Sequence, residues 1–354
     1  MRSVSAFCLA LSVVCLFQTS AFAREPERIK VFIDQDTSGP AGTDSVSIAL
    51  LLQAPNVDVV GIGVVAGDAW LDQAVYHTLR IVELTGKTDV PVAAGSRVPL
   101  LNSQAMMERR EALWGEKAGD GWHGNWGSEV PPENVIEDAP GGPPKIQVVD
   151  KTAAELLIEM ARKYPGELVL HTAGPLTNIA LAIRLAPDIV GKIKAVYTMG
   201  GHIHVNQRFN FWWDAEAAFI HIRAPWKERH LTPIDVCHKT YMTQGIIEQI
   251  ATAGTPLAEY LRYSYLEMNR GYSYMWDELA AAAIIDPGII TKTEELRIDV
   301  DYLPGPSYGK TVWTSDRIDP WFTEGRTWTV QTDIDVERFE KLFVDLMRRP
   351  PVTR

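Results

Sequence analysis

Apolar residues fall along the chain in two alternating rhythms. Ile29-Lys30-Val31-Phe32-Ile33 is a short apolar run that ends in acidic and small residues, the pattern of a buried strand. From Asp44 the spacing changes, and Val46, Ile48, Ala49, Leu50, Leu51 and Leu52 predict a strongly apolar helix stopped near Pro55. Val57 to Val65 is a second β-rich run. Leu71 to Leu84 then has helical spacing and closes at Gly86, a suitable residue just past a helix end. Val90 to Ala94 predicts another short strand.

The same alternation resumes further on. Ala153 to Arg162, Leu176 to Leu185 and about Asp214 to His221 predict helices. Leu168 to Thr172, Ile193 to Met199 and Leu231 to Val236 predict strands. Thr327 to Asp333 predicts a closing strand and Val336 to Met347 an amphipathic helix. Such alternation implies an α/β fold, a mostly parallel central sheet with helices on both faces. Two stretches lack periodicity: Trp114 to Pro144, rich in Gly, Pro and Trp, and Asp301 to Trp321, with three prolines. Both predict irregular segments, and long loops in compact domains usually carry function or move.

The N-terminus stands outside this pattern. Arg2, the apolar run Ala6 to Phe17 and the small-x-small site Ala21-Phe22-Ala23 predict a signal peptide cleaved after Ala23,. A lipoprotein site at Cys15, which the bulky valines before it fit poorly, and a buried N-terminal helix are the alternatives. Residues 24–354 are then expected to form one domain of an exported protein, periplasmic or secreted, with no membrane anchor. Cys8 and Cys15 leave with the leader, so Cys237 is the lone cysteine and disulfides play no part,. A formal net charge of −11 without any basic run argues against nucleic-acid binding,.

The candidate chemistry begins where the first strand stops. Asp34-Gln35-Asp36 sits at that end and Asp44 at the start of the next helix, and open α/β sheets bind ligands outside the carboxyl ends of their strands. Convergent carboxylates are costly unless a cation neutralises them. An oxygen-only donor set suits Ca²⁺ or Mg²⁺, and the more tolerant shell of Ca²⁺ suits mixed carboxylates and carbonyls. Ordinary turn aspartates with a helix cap would produce the same letters. The loop lacks the Gly-Lys-Ser/Thr ending of a phosphate cradle,.

A family resemblance adds to this reading. Asp34-x-Asp36, Gly39 and Asp44 are followed in order by Val64-Val65-Ala66-Gly67-Asp68, His123-Gly124-x-x-Gly127 and Ala173-Gly174-Pro175-Leu176-Thr177-Asn178. Met199-Gly200-Gly201, Phe209-Asn210-Phe211-Trp212, Asp235-Val236-Cys237-His238 and Trp276-Asp277 complete the series. Together they resemble the inosine/uridine-preferring nucleoside hydrolases across most of residues 29–345.

The resemblance implies calcium-dependent hydrolysis of an N-glycosidic bond by one inverting displacement, the partner being a small nucleoside or glycoside. It implies that Asp36, Asp44, Asp277 and the backbone carbonyl of Ala173 hold Ca²⁺, and that Asp36 takes the proton of the attacking water. Asp34, Asp68, Asn210 and Asp277 would lie toward the sugar. Trp276 stands where purine-preferring relatives carry tryptophan, and Trp122 or Trp126 would supply a second face for the base. His123 and His202 are expected near the cleft, and His238 beside a neighbouring loop. Family members are usually oligomers, so a homo-oligomer is also implied.

Two positions depart from the pattern. Thr43 replaces the first of the usual adjacent aspartates, after a longer loop, and Arg208 reverses the charge of the usual glutamate. Both fall where the family grips ribose, so a shift away from plain ribonucleosides is expected. A glycosidase acting on a non-nucleoside sugar, or a binding protein without turnover, remain the alternatives to the first reading.

Overall fold

The computed structural model describes residues 28–115, 123–127, 142–206, 209–315 and 325–352. The predicted leader therefore lies outside the described residues, as do Trp122 and Arg208. The chain runs β1 (Ile29–Gln35), α1 (Thr43–Gln53), β2 (Val57–Val64), α2 (Leu71–Leu84), β3 (Val92–Ala94), α3 (Gln104–Trp114), α4 (Ala153–Lys163) and β4 (Val169–Thr172). It continues through α5 (Thr177–Leu185), β5 (Ala195–Met199), α6 (Phe209–Trp213), α7 (Ala215–Arg223), β6 (Arg229–Thr232), α8 (Ile234–Cys237), α9 (Gln244–Ala251) and α10 (Pro256–Arg262). It ends with α11 (Trp276–Ile285), β7 (Ile290–Val300), β8 (Thr311–Thr314), β9 (Arg326–Ile334) and α12 (Val336–Met347).

All nine strands join one sheet in the order β3-β2-β1-β4-β5-β6-β9-β7-β8. The pairs from β3 to β9 are parallel, while β7 runs antiparallel to both β9 and β8. The mixed, mostly parallel sheet flanked by helices is the architecture that the alternating pattern implies. From β1 the chain winds outward through β2 to β3, then returns to β4 and winds the other way. Right-handed crossovers of opposite direction put their helices on opposite faces. Accordingly α1, α2, α11 and α12 pack as one layer, and α4, α5 and α7 as another.

Two helices set the position of the acidic residues. α1 is buried from Asp44 through Gln53, and α11 from Asp277 through Ile285. A helix apolar on every side must be covered on every side, and these two pack against each other. The small side chains of Ala280 to Ala283 leave room for that approach. Within α1, Ser45 and Ser47 satisfy their buried hydroxyls on the carbonyls of Gly42 and Asp44, at 3.0 and 2.8 Å. Each helix opens with an aspartate in its first turn, where the positive end of the helix dipole favours an acid.

Three expectations change. The strand expected over Leu231 to Val236 ends at Thr232, because Pro233 has no N–H for the ladder and starts a helical turn instead,. The stretch Asp301 to Trp321 is not wholly irregular: Thr311–Thr314 forms β8 on the sheet edge, its short alternating run hidden among prolines. Helix α3 was not anticipated, since its charged sequence has no apolar stripe; the readable signals were the cap Ser103 and the left-handed Gly115. Of the long stretch beyond it, residues 123–127 are described and carry no regular structure. No helix among the described residues is long and apolar enough to cross a membrane.

Candidate active site

The strand order reverses between β1 and β4. Loops leaving such neighbours diverge and open a crevice at their carboxyl ends. Asp36 follows β1 there, and Ala173 follows β4, its N–H donating to the Asp34 carbonyl at 3.0 Å.

Asp36 is enclosed, 1% exposed. Its Oδ2 accepts from the backbone N–H of Asp68 at 2.8 Å. A Cβ on Gly67 would stand 2.3 Å from Oδ2, and one on Gly174 would stand 2.7 Å from Oδ1. Glycine at both positions is therefore a condition for the carboxylate to sit where it does. Oδ1 is buried with no hydrogen-bond partner in another residue. Burial, then the charges of Asp68 and Asp44, push the Asp36 carboxyl well above the ordinary range.

The packing of α1 on α11 brings Asp44 and Asp277 together. Asp277 is pushed up by burial first and then by Asp44, with which it makes a direct side-chain contact, and further by Glu278 and Asp36. Gln35 Nε2 donates to Asp277 Oδ2 at 2.6 Å, and the Asp277 N–H to Thr43 Oγ1 at 3.3 Å. Asp44 Oδ2 accepts from both the N–H and the hydroxyl of Ser38, at 3.0 and 2.5 Å. Thr43 donates its hydroxyl proton to Glu278 Oε2 at 2.5 Å. Burial raises the Glu278 carboxyl to about 8, against the lowering effect of that bond.

Three buried acids, of which Asp36 and Asp277 are raised by burial and by the charge of Asp44, fit a hard cation in their chemistry, because they cannot all be ionised in so small a space unless positive charge joins them. The unpartnered Asp36 Oδ1 is an oxygen such an ion would use. Among the described residues no group of three or more His, Cys, Asp or Glu side chains is gathered so as to hold a metal ion by side chains alone. Carbonyl donors fall outside that class of ligand, and the Ala173 carbonyl, which accepts from Asn210 Nδ2 at 2.8 Å, is one. Asn210 also donates to the Met199 carbonyl at 3.2 Å, so its amide bridges the ends of β4 and β5.

The remaining candidates divide. Asp34 is joined to Asn178 Nδ2 at 2.9 Å instead of to Asp44 and Asp277, and burial raises it to about 7. Asn178 also donates to the Val64 carbonyl and accepts from the Ser96 N–H, tying β1, β2 and the turn after β3. Asn125 bonds the carbonyls of Gly67 and Asp68, which holds residues 123–127 over the Asp36 turn. In that segment Trp126 stacks on Trp213 at 5.3 Å and meets Trp212 edge-on at 6.0 Å. His123 pairs with Glu111 at 2.8 Å and lies 6.2 Å from the Trp212 ring. Trp276, half-buried at the start of α11, has a buried Nε1 without a hydrogen-bond partner and lies 5.9 Å from Tyr274. His202 is bonded to Thr311, and His238 stacks on Tyr274 at 4.3 Å. Gln35, Ser38 and Glu278 were not singled out from sequence; only their nearness to Asp36, Asp44 and Asp277 could have flagged them.

Known proteins share this arrangement of chain. A family model described as inosine-uridine preferring nucleoside hydrolase matches residues 31–341. The probable uridine nucleosidase 2 of Arabidopsis thaliana is 29% identical over 270 residues, 75% of this chain and 77% of that one. The pyrimidine-specific ribonucleoside hydrolase RihB of Escherichia coli is 27% identical over 299 residues, 81% of this chain and 87% of its own. Among solved structures, a purine-preferring ribonucleoside hydrolase from Gardnerella vaginalis superposes with a TM-score of 0.69 at 25% identity, covering 90% of this chain and 98% of that one.

Proposed function

Because the chain belongs to the inosine-uridine preferring nucleoside hydrolase family, and is thereby an N-glycosyl hydrolase, we propose that it is a Ca²⁺-dependent enzyme for a purine-nucleoside-like substrate with a non-standard sugar. Asp36, Asp44, Asp277 and the Ala173 carbonyl would hold the cation. The observation that carries this reading is the enclosure of Asp36 between Gly67 and Gly174, with Oδ1 unpartnered, beside the Asp44–Asp277 contact.

A bound Ca²⁺ would lower the pKa of a water and offset the three negative charges. Asp36 is the general base, since it is held rigidly by the Asp68 N–H with one oxygen to spare,. Asn210 fixes the Ala173 carbonyl, so that its remaining lone pair stays aimed at the cation,. Trp276 offers a face to the departing base.

The sugar preference follows from Thr43. Its own proton is committed to Glu278, so toward a sugar hydroxyl it presents only a neutral acceptor where the family pattern has a carboxylate. Arg208 adds a positive charge nearby in sequence. A ribose gripped by fewer charges loses its advantage over a modified one. The leader-like segment of residues 1–23 supports action outside the cytoplasm, by residues 24–354.

The test is a Ca²⁺-replete hydrolysis screen of purine and pyrimidine nucleosides and simple glycosides, read as reducing-sugar release, beside Asp36→Asn. Nucleoside cleavage that falls about 10²–10⁴-fold in the variant is expected. Full turnover in Asp36→Asn would overturn the reading, and a kcat/KM on inosine or guanosine equal to that of ordinary relatives would overturn the sugar shift.

A further inference from the structure

We propose that Ser38 and Arg270 are positioning residues that clamp the Asp44 carboxylate in the orientation the cation requires; this rests on the proposed function, in which Asp44 is a cation ligand. The loop between β1 and α1 does not simply lead into the helix. It doubles back so that Ser38 places two donors, its N–H and its hydroxyl, on the same carboxylate oxygen, Asp44 Oδ2. The other oxygen is the one the loop leaves unengaged.

A serine hydroxyl rotates freely unless something fixes it. Here Arg270, 232 positions away, donates from Nη2 to Ser38 Oγ at 3.3 Å and from Nη1 to the Pro40 carbonyl at 3.0 Å. The Ser38 hydroxyl therefore accepts from the guanidinium and directs its single proton to Asp44 Oδ2,. Hydrogen bonds in such a chain polarise one another in the same direction. Ser264 adds a second bond to the Pro40 carbonyl, at 2.5 Å. Gly42 makes the approach possible, since a Cβ there would lie 2.5 Å from Ser38 Oγ and 2.8 Å from Arg270 Nη2. Between them Ala41 holds a positive φ of 55°, a conformation that persists only where neighbours enforce it. The loop is thus fastened at both ends of the turn, and Asp44 is aimed before any ion arrives. Ligands fixed in this way by groups behind them typically lose 10–100-fold in metal affinity when the support is removed.

The experiment is calorimetric titration of Ca²⁺ into the full chain, stripped with chelator, for wild type, Ser38→Ala, Ser38→Thr and Arg270→Gln. Ser38→Ala is expected to weaken Kd roughly 10–100-fold, and Arg270→Gln to weaken it less. Ser38→Thr, which keeps the hydroxyl, is expected to stay near wild type. A role confined to loop stability would lower Tm and leave Kd unmoved. Circular dichroism reports whether each variant folds, and an unfolded Ser38→Ala leaves the decision to Arg270→Gln against Ser38→Thr. Wild-type protein that binds no Ca²⁺ would overturn the proposed function together with the clamp. Wild-type binding with unchanged Kd in both Ser38→Ala and Arg270→Gln would overturn the clamp alone.

Discussion

Gln35 and Asp277, 242 positions apart, are joined by a buried 2.6 Å hydrogen bond from Nε2 to Oδ2. The last residue of β1 thereby holds an acid at the start of α11. Replacing Gln35 by Leu leaves that oxygen without its donor and the carboxylate free to turn. We expect kcat/KM to fall about 10–100-fold, with the Ca²⁺ concentration for half-maximal rate rising in step. Unchanged calcium dependence in Gln35→Leu would show that the bond is only structural.

Gly174→Ala is a steric test of the same site. The new Cβ would fall 2.7 Å from Asp36 Oδ1 and 2.9 Å from the Asp36 nitrogen, so the carboxylate must move. A displacement near 1 Å at reacting groups costs on the order of 100-fold in rate. Steady-state kinetics on a folded Gly174→Ala protein checks this, and a rate within twofold of wild type would contradict it.

Calcium removal should register on stability as well as on rate. A ligand at about 100 times its Kd stabilises the folded state by about 2.7 kcal/mol, which for a chain of this size is on the order of 5 °C in Tm. Melting curves in chelator and in excess Ca²⁺ should differ by about that amount, and the gap should vanish in an Asp44→Asn, Asp277→Asn double variant. Superimposable wild-type curves would count against the cation.

Trp276→Ala separates base recognition from bond cleavage. If the indole carries a purine, the loss in kcat/KM should be about 5- to 150-fold for purine nucleosides, equivalent to about 1–3 kcal/mol of stacking. The loss for uridine should be smaller. Equal losses for both bases would assign Trp276 to packing.

Acid sensitivity has a separate source. His171 on β4 and His221 on α7 are fully buried, and burial lowers each from 6.5 to about 3. A base held neutral in the folded state and free to protonate when unfolded contributes stability that is complete above pH 6.5 and is lost as pH falls toward 3. Neither ring nitrogen of His171 has a hydrogen-bond partner among the described residues. His171→Phe should therefore reduce the fall in unfolding free energy by about 1.4 kcal/mol per pH unit between pH 6 and 4. Urea titrations across that range measure it, and parallel pH profiles for variant and wild type would refute it. The raised acids Asp34, Asp214 and Glu278 act in the opposite sense and are common to both proteins.

Much of this frame is legible in the sequence. The limits of α2 and α12 follow from apolar spacing and a closing signal, both local properties. β8 and α3 escaped because neither has a buried run long enough to show a period. At the site, motif order pointed to Asp36, Asp44 and Asp277, but beyond adjacency to those acids nothing local could reveal what Gln35 or Glu278 bonds to. Their contacts with Asp277 and Thr43 span 242 and 235 positions. Asp34 illustrates the reverse. Two letters from Asp36, it looks equivalent in sequence, yet it lies within β1, which ends at Gln35, and Asn178 holds it to a different partner.

The joining of α1 to α11 carries a consequence for how the enzyme comes into being. A chain that has paired β1, β2 and β3 already owns Asp36 and Asp44, yet the proposed site stays incomplete until a loop of more than 200 residues closes. Such long-range closures are slow steps in folding. Activity should therefore appear late in refolding, after most of the secondary structure, and a chain interrupted before residue 277 should have none.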